Sequence, residues 1–352
     1  MNGAESLIRS FTAAGVNVCF ANPGTSEMHL VQAVDAVPEM RAVLSLFEGV
    51  CTGAADGYGR MTGMPATTLL HLGPGLGNGI ANLHNARRAS TPVINLIGNH
   101  ALYHMDYDAP LTSDIGTLAK NVSSWVKGDS TASSLATDGM LALQFALTAK
   151  PGSAGQISTM IIPADACWNE EGAAASYINA PERRKVDDKV VSEVAHLLDN
   201  NSMILINSDG LSIEARIAAN RISEKTGCRV SMTPFPSRVD GGAGLPGCER
   251  LPYFPEQVLA ALNGVEKLIL AGAESPVSFF AYPNTPSVLV PEDCAVVRLS
   301  ESEEDTAQAL ASLADFLGVS GGDYSINQLA DLELPTGELS TRTISAAIAA
   351  LI

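Results

Sequence analysis

Four short segments carry residues whose types and spacing could do chemistry, and each follows a predicted strand, where ligands bind in open α/β sheets. In Asn22-Pro23-Gly24-Thr25-Ser26-Glu27 a Pro-Gly turn precedes hydroxyls, Thr25 or Ser26, able to cap the next helix, with Glu27 in its first turn. Glu48 stands where an apolar strand meets a helix of small residues (Gly49, Gly53, Ala54, Ala55, Gly57), whose backbone another helix or a ligand can approach closely. Its carboxyl would either supply negative charge to a helix N-terminus or, if desolvated, stay protonated and donate a hydrogen bond. His71-Leu72-Gly73-Pro74-Gly75-Leu76-Gly77-Asn78-Gly79 sets one titratable imidazole beside a glycine-rich loop, a backbone able to lie against a flat ligand. His100 and His104 would share a face of a helix as metal ligands. With no Glu of an H-E-x-x-H pair, and on a predicted loop, they read instead as a polar pocket wall.

The same segments exclude other chemistries. The glycine run fails the G-x-G-x-x-G fingerprint, having Asn78 or Ile80 where the last glycine is needed. No acidic residue follows about twenty positions on to hold a ribose, and no Lys follows for a P-loop, so NAD and ATP are rejected here. A G-x-S-x-G nucleophile elbow is missing too. The six cysteines (Cys19, Cys51, Cys167, Cys228, Cys248, Cys294) form no CxxC pair, and several lie within apolar runs. They read as buried thiols in a reducing compartment, not as a disulfide framework or a zinc site.

Positioning these residues requires alternating strands and helices. Val16–Ala21, Ala42–Leu46, Ala66–Leu72, Pro92–Gly98 and Ile157–Ile162 read as strands. Gly3–Ala14, Met28–Ala36, Gly49–Thr62, Gly77–Ala89 and Asp138–Ala149 read as helices between them. The alternation predicts βαβ units and a parallel sheet. A charged, Pro-containing stretch, Asn179 to Lys189, is the linker candidate. Beyond it a second α/β pattern follows: helix Lys189–Leu198, strand Met203–Asn207, helix Ile213–Thr226, strands Arg229–Met232, Lys267–Ala271 and Ala295–Leu299, and helix Glu303–Leu317. Pro234 to Pro255 is expected to be a long irregular loop, and Thr343–Ile352 a short terminal helix. The fold class expected is therefore α/β, with two doubly wound parallel-sheet domains.

Composition agrees with that class. Of 352 residues, 46% are hydrophobic and 17% charged, with a mean hydropathy of +0.15; low charge suits strands covered on both faces. A formal net charge of −17 and a pI near 4.7 leave no basic footprint for nucleic acid and would repel an anionic membrane. The first residues lack the order of a signal peptide, and no apolar run is long enough to span a bilayer. A cytoplasmic protein is expected.

The stretch Glu48-Gly49-Val50-Cys51-Thr52-Gly53-Ala54-Ala55-Asp56-Gly57-Tyr58-Gly59-Arg60 resembles the catalytic-glutamate helix of thiamine-diphosphate enzymes, in the group holding acetolactate synthase and benzoylformate decarboxylase. Asn22-Pro23-Gly24-Thr25 is similar to that family's cofactor-contacting turn, and His71 to the active-site histidine of benzoylformate decarboxylase; Gly73-Pro74-Gly75 is shared with acetolactate synthases. The resemblance implies cofactor contacts from Pro23, Gly24, Thr25, Glu48, Pro74 and Asn78. It further implies that Glu48 activates the aminopyrimidine and that His71 shuttles protons to a bound 2-oxoacid. It divides the chain into a pyrimidine-binding domain (1–178), a linker (179–188) and a central domain (189–320). Residues 321–352 would be a linker and the start of a diphosphate-binding domain.

That third domain would carry Mg2+ on Gly-Asp-Gly followed by paired Asn. Ser208-Asp209-Gly210 lacks the first glycine, and Gly322-Asp323-Tyr324 also fails. The chain is thus expected to be a fragment or one component of a split enzyme, inactive alone. Homodimers or homotetramers are implied, since the family's active site joins two subunits. FAD, which occupies the central domain in acetolactate synthases but not in decarboxylases, is possible but not favoured. The alternative is a non-catalytic regulatory or scaffold relative that keeps the fold.

Overall fold

The most apolar runs become the middle strands of two parallel sheets in the computed structural model, which describes residues 1–149, 156–329 and 331–351. The first unit comprises Met1–Arg184 with Phe235–Arg238 and Ser302–Glu304. It runs α1 (Gly3–Ala13), β1 (Val18–Asn22), α2 (Met28–Ala36), β2 (Arg41–Leu44), α3 (Glu48–Thr62), β3 (Ala66–Leu70), α4 (Leu72–Arg88) and β4 (Val93–Asn99). It continues with α5 (Ile115–Lys120), β5 (Trp125–Lys127), α6 (Leu135–Leu147), β6 (Ile157–Pro163) and α7 (Ala164–Trp168). The strands are all parallel, in the order β2-β1-β3-β4-β6-β5. β3, β4 and β6 are buried at every position, as strands covered on both faces must be. One face packs Leu7 and Phe11 of α1 and Leu143 of α6; the other packs Cys51 of α3, Leu76 and Leu83 of α4, and Ile115 of α5.

A polar row crosses this apolar sheet. Thr68 Oγ1 donates to Asn95 Oδ1 at 2.8 Å, and Asn95 Nδ2 donates to Thr159 Oγ1 at 3.0 Å. Thr68 pairs with Asn95, and Asn95 with Thr159, in the strand register. A one-residue slip would bury these groups without partners, so the row reinforces the register.

The second unit takes Lys185–Pro234, Val239–Glu301 and the residues from Asp305 onward. It runs α8 (Asp188–Ala195), β7 (Ser202–Ile206), α9 (Ile213–Thr226), β8 (Arg229–Met232) and β9 (Glu249–Arg250). It closes with α10 (Pro255–Ala261), β10 (Lys267–Ala271), β11 (Ala295–Ser300), α11 (Thr306–Phe316) and α12 (Thr341–Leu351). Its sheet is parallel too, in the order β11-β10-β7-β8-β9. Val194, Ile222 and Leu310 pack one face, and Val258 and Leu262 the other. The architecture is the two doubly wound domains expected from the alternation of strands and helices.

Several elements depart from the sequence reading. The His71 loop is helical: α4 starts at Leu72 and takes in Gly73, Pro74, Gly75, Gly77 and Gly79. Pro74 sits in the first turn, where its missing N–H has no intrahelical partner to lose, and the glycines let neighbours close in. Within Pro234 to Pro255, Glu249–Arg250 adds an edge strand to β8. The helices α5, α7 and α10 and the strand β5 were not expected; each is seven residues or shorter, too brief to show a period. α11 begins at Thr306, three residues later than expected, because Asp305 caps it. α12 buries none of its described residues, and Ile352, the last residue of the expected helix, lies outside the described ones.

Candidate active site

In the first sheet the chain moves outward from β1 to β2, then returns to lay β3 on the other side of β1. Loops leaving neighbouring strands in opposite directions open a crevice at such a switch point. Asn22–Glu27 leaves β1 there, Glu48 opens α3 just beyond β2, and His71 stands between β3 and α4. Leu72, the next residue, holds φ 52 although it is not glycine, so the strand turns into the helix within one residue at His71.

Glu48 takes the negative position at the N-terminus of α3, where the helix dipole favours it. Asn78 Nδ2, on α4, donates to its Oε2 at 3.0 Å. The carboxyl is half-buried, not desolvated as expected. It lies at the open edge of the sheet, where its neighbours Leu46, Phe47 and Val50 are 95%, 50% and 55% exposed. The small residues behind it serve helix packing: Asn82 Nδ2 donates to Gly49 O at 2.7 Å and Thr52 Oγ1 to Gly79 O at 3.0 Å, drawing α4 onto α3. That contact brings Glu48 to His71. A methyl placed on Gly75 would lie 3.4 Å from Glu48 Oε1 and 3.5 Å from His71 Cβ.

His71 is held by a residue the sequence reading placed only in a helical turn. Glu27 is fully buried, and its Oε2 lies 2.8 Å from His71 Nδ1. The same oxygen accepts the Gly24 N–H at 2.7 Å, and Oε1 accepts the Ser26 hydroxyl at 3.2 Å. Neither Thr25 nor Ser26 caps the following helix; Glu27 folds back onto Gly24 instead. Cys167 on α7 feels this carboxylate: burial first, then the charge of Glu27, pushes its thiol up to about 12. Burial likewise raises the Cys51 thiol, with the charge of Glu48 adding to it.

Of the other expected contacts, Gly24 borders the His71 ring, which a methyl there would meet at 2.2 Å. Pro74 is exposed one turn before Asn78 on α4, and Thr25 is exposed on the β1 turn. His100 and His104 stack edge to face, centroids 5.7 Å apart, beyond β4. Among the described residues no group of three or more His, Cys, Asp or Glu is placed to hold a metal ion. Two signals pointed to the missed carboxylate: a Glu three residues after a turn glycine, and Gly98 within an apolar strand, the mark of a close approach.

Comparison with known proteins bears on the family and the fold. The family described as thiamine pyrophosphate enzyme, N-terminal TPP binding domain, matches residues 1–120. The chain is 48% identical over its full length to the acetolactate synthase large subunit-like protein IlvX of Mycobacterium tuberculosis, 67% of which it covers. A thiamin diphosphate-dependent enzyme of Mycobacterium smegmatis shares the fold (TM-score 0.78, 22% identity, 95% of this chain and 66% of that one). Benzoylformate decarboxylase of Polynucleobacter necessarius does so as well (TM-score 0.78, 17% identity, 98% of this chain and 67% of that one). The chain therefore spans about two thirds of the length of these relatives. It belongs to the thiamine-diphosphate-dependent enzyme family.

Proposed function

We propose that this chain forms the pyrimidine-binding side and central domain of an enzyme that decarboxylates or ligates 2-oxoacids with thiamine diphosphate. One observation carries the reading: Glu48 and His71, from different elements, flank the same point at Gly75, beside the crevice where the strand order reverses. The residues fit the cofactor's ring. Gly75 puts no side chain between Glu48 and His71, and the Glu48 carboxyl lies 3.4 Å from where a methyl there would stand.

In this reading Glu48 shares a proton with a ring nitrogen of the aminopyrimidine, and Asn78 holds the other carboxyl oxygen in place. Pro23, Gly24, Thr25 and Pro74 line the approach. Thiamine diphosphate, when bound, supplies the electron sink for loss of CO2 from a 2-oxoacid. His71 then holds or moves a proton beside the substrate.

Residues 1–178 act as the pyrimidine-binding domain and 189–320 as the central domain, joined by 179–188, with 321–352 leading onward. Mg2+ and the diphosphate fall to a further domain of the complete protein. The exposed Leu46, Phe47 and Val50 around Glu48 support a second protein surface closing over it, as in a homodimer or homotetramer. That closure would supply the desolvation Glu48 lacks in the single chain. FAD has no part in this reading: at the second sheet's switch point, methyls on Gly210 or Gly272 would meet Thr306 of α11 at 2.8 and 2.7 Å, so α11 narrows the crevice. A soluble, cytoplasmic enzyme is the corresponding setting; among the described residues no helix is long and apolar enough to cross a membrane.

Turnover of 2-oxoacids by the complete natural protein, with thiamine diphosphate and Mg2+, tests the proposal. Glu48→Gln is expected to lower kcat by about a hundredfold or more, the range of a lost acid–base group. Unchanged turnover in the variant, or no 2-oxoacid turnover by the parent, would favour a non-catalytic regulatory or scaffold relative.

A further inference from the structure

A carboxylate with no exposed surface has to find its hydrogen bonds inside the protein. Among the described residues the partners of Glu27 are the Gly24 N–H, the Ser26 hydroxyl and His71 Nδ1, at 2.7, 3.2 and 2.8 Å. No Lys or Arg pairs with it among the described residues. The seat is tight from both sides. A methyl on Gly98 would lie 1.8 Å from Oε1, and one on Gly24 would lie 2.2 Å from His71 Nδ1. Carboxylate and imidazole are thus confined to this pairing by two glycines on separate strands' ends.

An ionised carboxylate only accepts hydrogen bonds. With Glu27 as the carboxylate, the ring nitrogen 2.8 Å from it carries the proton, and the Ser26 oxygen 3.3 Å from the same nitrogen can accept from it as well; in a neutral imidazole the other nitrogen must then be bare. His71 Nε2 has no protein partner among the described residues, and the side chain is 25% exposed. We propose that Glu27 is a positioning residue that holds His71 as its Nδ1–H tautomer, so that the nitrogen offered to a ligand is a proton acceptor. A histidine side chain free in water favours the opposite tautomer.

The consequence is an order of events. Neutral His71 takes a proton from a hydroxyl of the bound ligand, or from water, onto Nε2. The imidazolium then faces the Glu27 carboxylate, and the same proton is later returned from Nε2. Which ligand supplies the proton rests on the 2-oxoacid reading above; the tautomer does not.

Nuclear magnetic resonance of the 15N-histidine-labelled chain tests this without cofactor or turnover. His71 is assigned by the signals lost in His71→Asn. At a pH where the ring is neutral, Nδ1 is expected to show the shift of a protonated nitrogen and Nε2 that of a bare one. Glu27→Gln should keep this pattern, since the amide oxygen can accept both the Gly24 and the His71 N–H. Glu27→Leu should release the ring to the Nε2–H form. An Nε2–H tautomer in the parent chain, or a retained Nδ1–H tautomer in Glu27→Leu with native circular dichroism, overturns the proposal. Should Glu27→Leu fail to fold, the parent and Gln spectra still decide. A negative Glu48→Gln turnover assay would leave these spectra untouched, so the two readings fail separately.

Discussion

Gly98 determines whether Glu27 can reach His71 at all. Glu27 Oε1 occupies the space where any other residue at 98 would place its Cβ, 1.8 Å from that oxygen. Gly98→Ala must therefore either shift β4 or drive the carboxylate from the seat where it accepts its hydrogen bonds. We expect a loss of at least about 1–3 kcal/mol, the usual cost of overpacking a close-packed site, measured by urea denaturation. A variant as stable as its parent would show that the carboxylate is not seated against β4. The placing of Glu48 at a strand-to-helix junction and of His71 at the end of a strand was readable in the sequence, because each depends on its own segment. The Glu27–His71 pair was not, because its members lie 44 positions apart and nothing local couples them.

At the scale of elements, the register of the first sheet rests on Asn95 as well as on apolar burial. Its amide bridges Thr68 and Thr159 on the two flanking strands, all three side chains fully buried. Asn95→Leu would leave the buried Thr68 hydroxyl without its partner, while Thr159 keeps Ser123 at 2.7 Å, at a cost of about 1–3 kcal/mol. We expect a clear fall in the urea midpoint with an unchanged slope; an unaltered midpoint would show that the row contributes nothing. Long strands and helices were legible because their periods repeat over enough residues. The start of α4 was not: four glycines and a proline from Gly73 to Gly79 read locally as a loop. They form a helix because α3 packs against it, with Thr52 bonded to Gly79 and Asn82 to Gly49.

At the scale of the whole molecule, the cysteines report on burial. Desolvation pushes Cys19 up to about 11 and Cys167 to about 12, and raises Cys51 and Cys228 as well. Because the thiolate is the reactive form, a raised pKa leaves these thiols protonated at neutral pH, with reactivity returning only as the pH approaches the raised values. Burial raises Cys248, to about 11, and Cys294 too, so exposure sets the order: iodoacetamide at neutral pH is expected to spare the four buried thiols in the native chain and to reach the half-buried Cys248 and Cys294 first. All six should react in denaturant, with intact mass as the readout. Native Cys19 alkylated as fast as free cysteine would contradict the packing of the first core. The sequence by itself determined the alternation of strands and helices, the class of each sheet and the strand-to-helix junction at Glu48, since those depend on residues close together in the chain. Only the tertiary structure decided that Glu48 meets His71 at Gly75, that small residues on α3 receive a helix, and that Glu27 lies buried against an imidazole. Those outcomes depend on which strands become neighbours in the sheet, and no local period encodes that order.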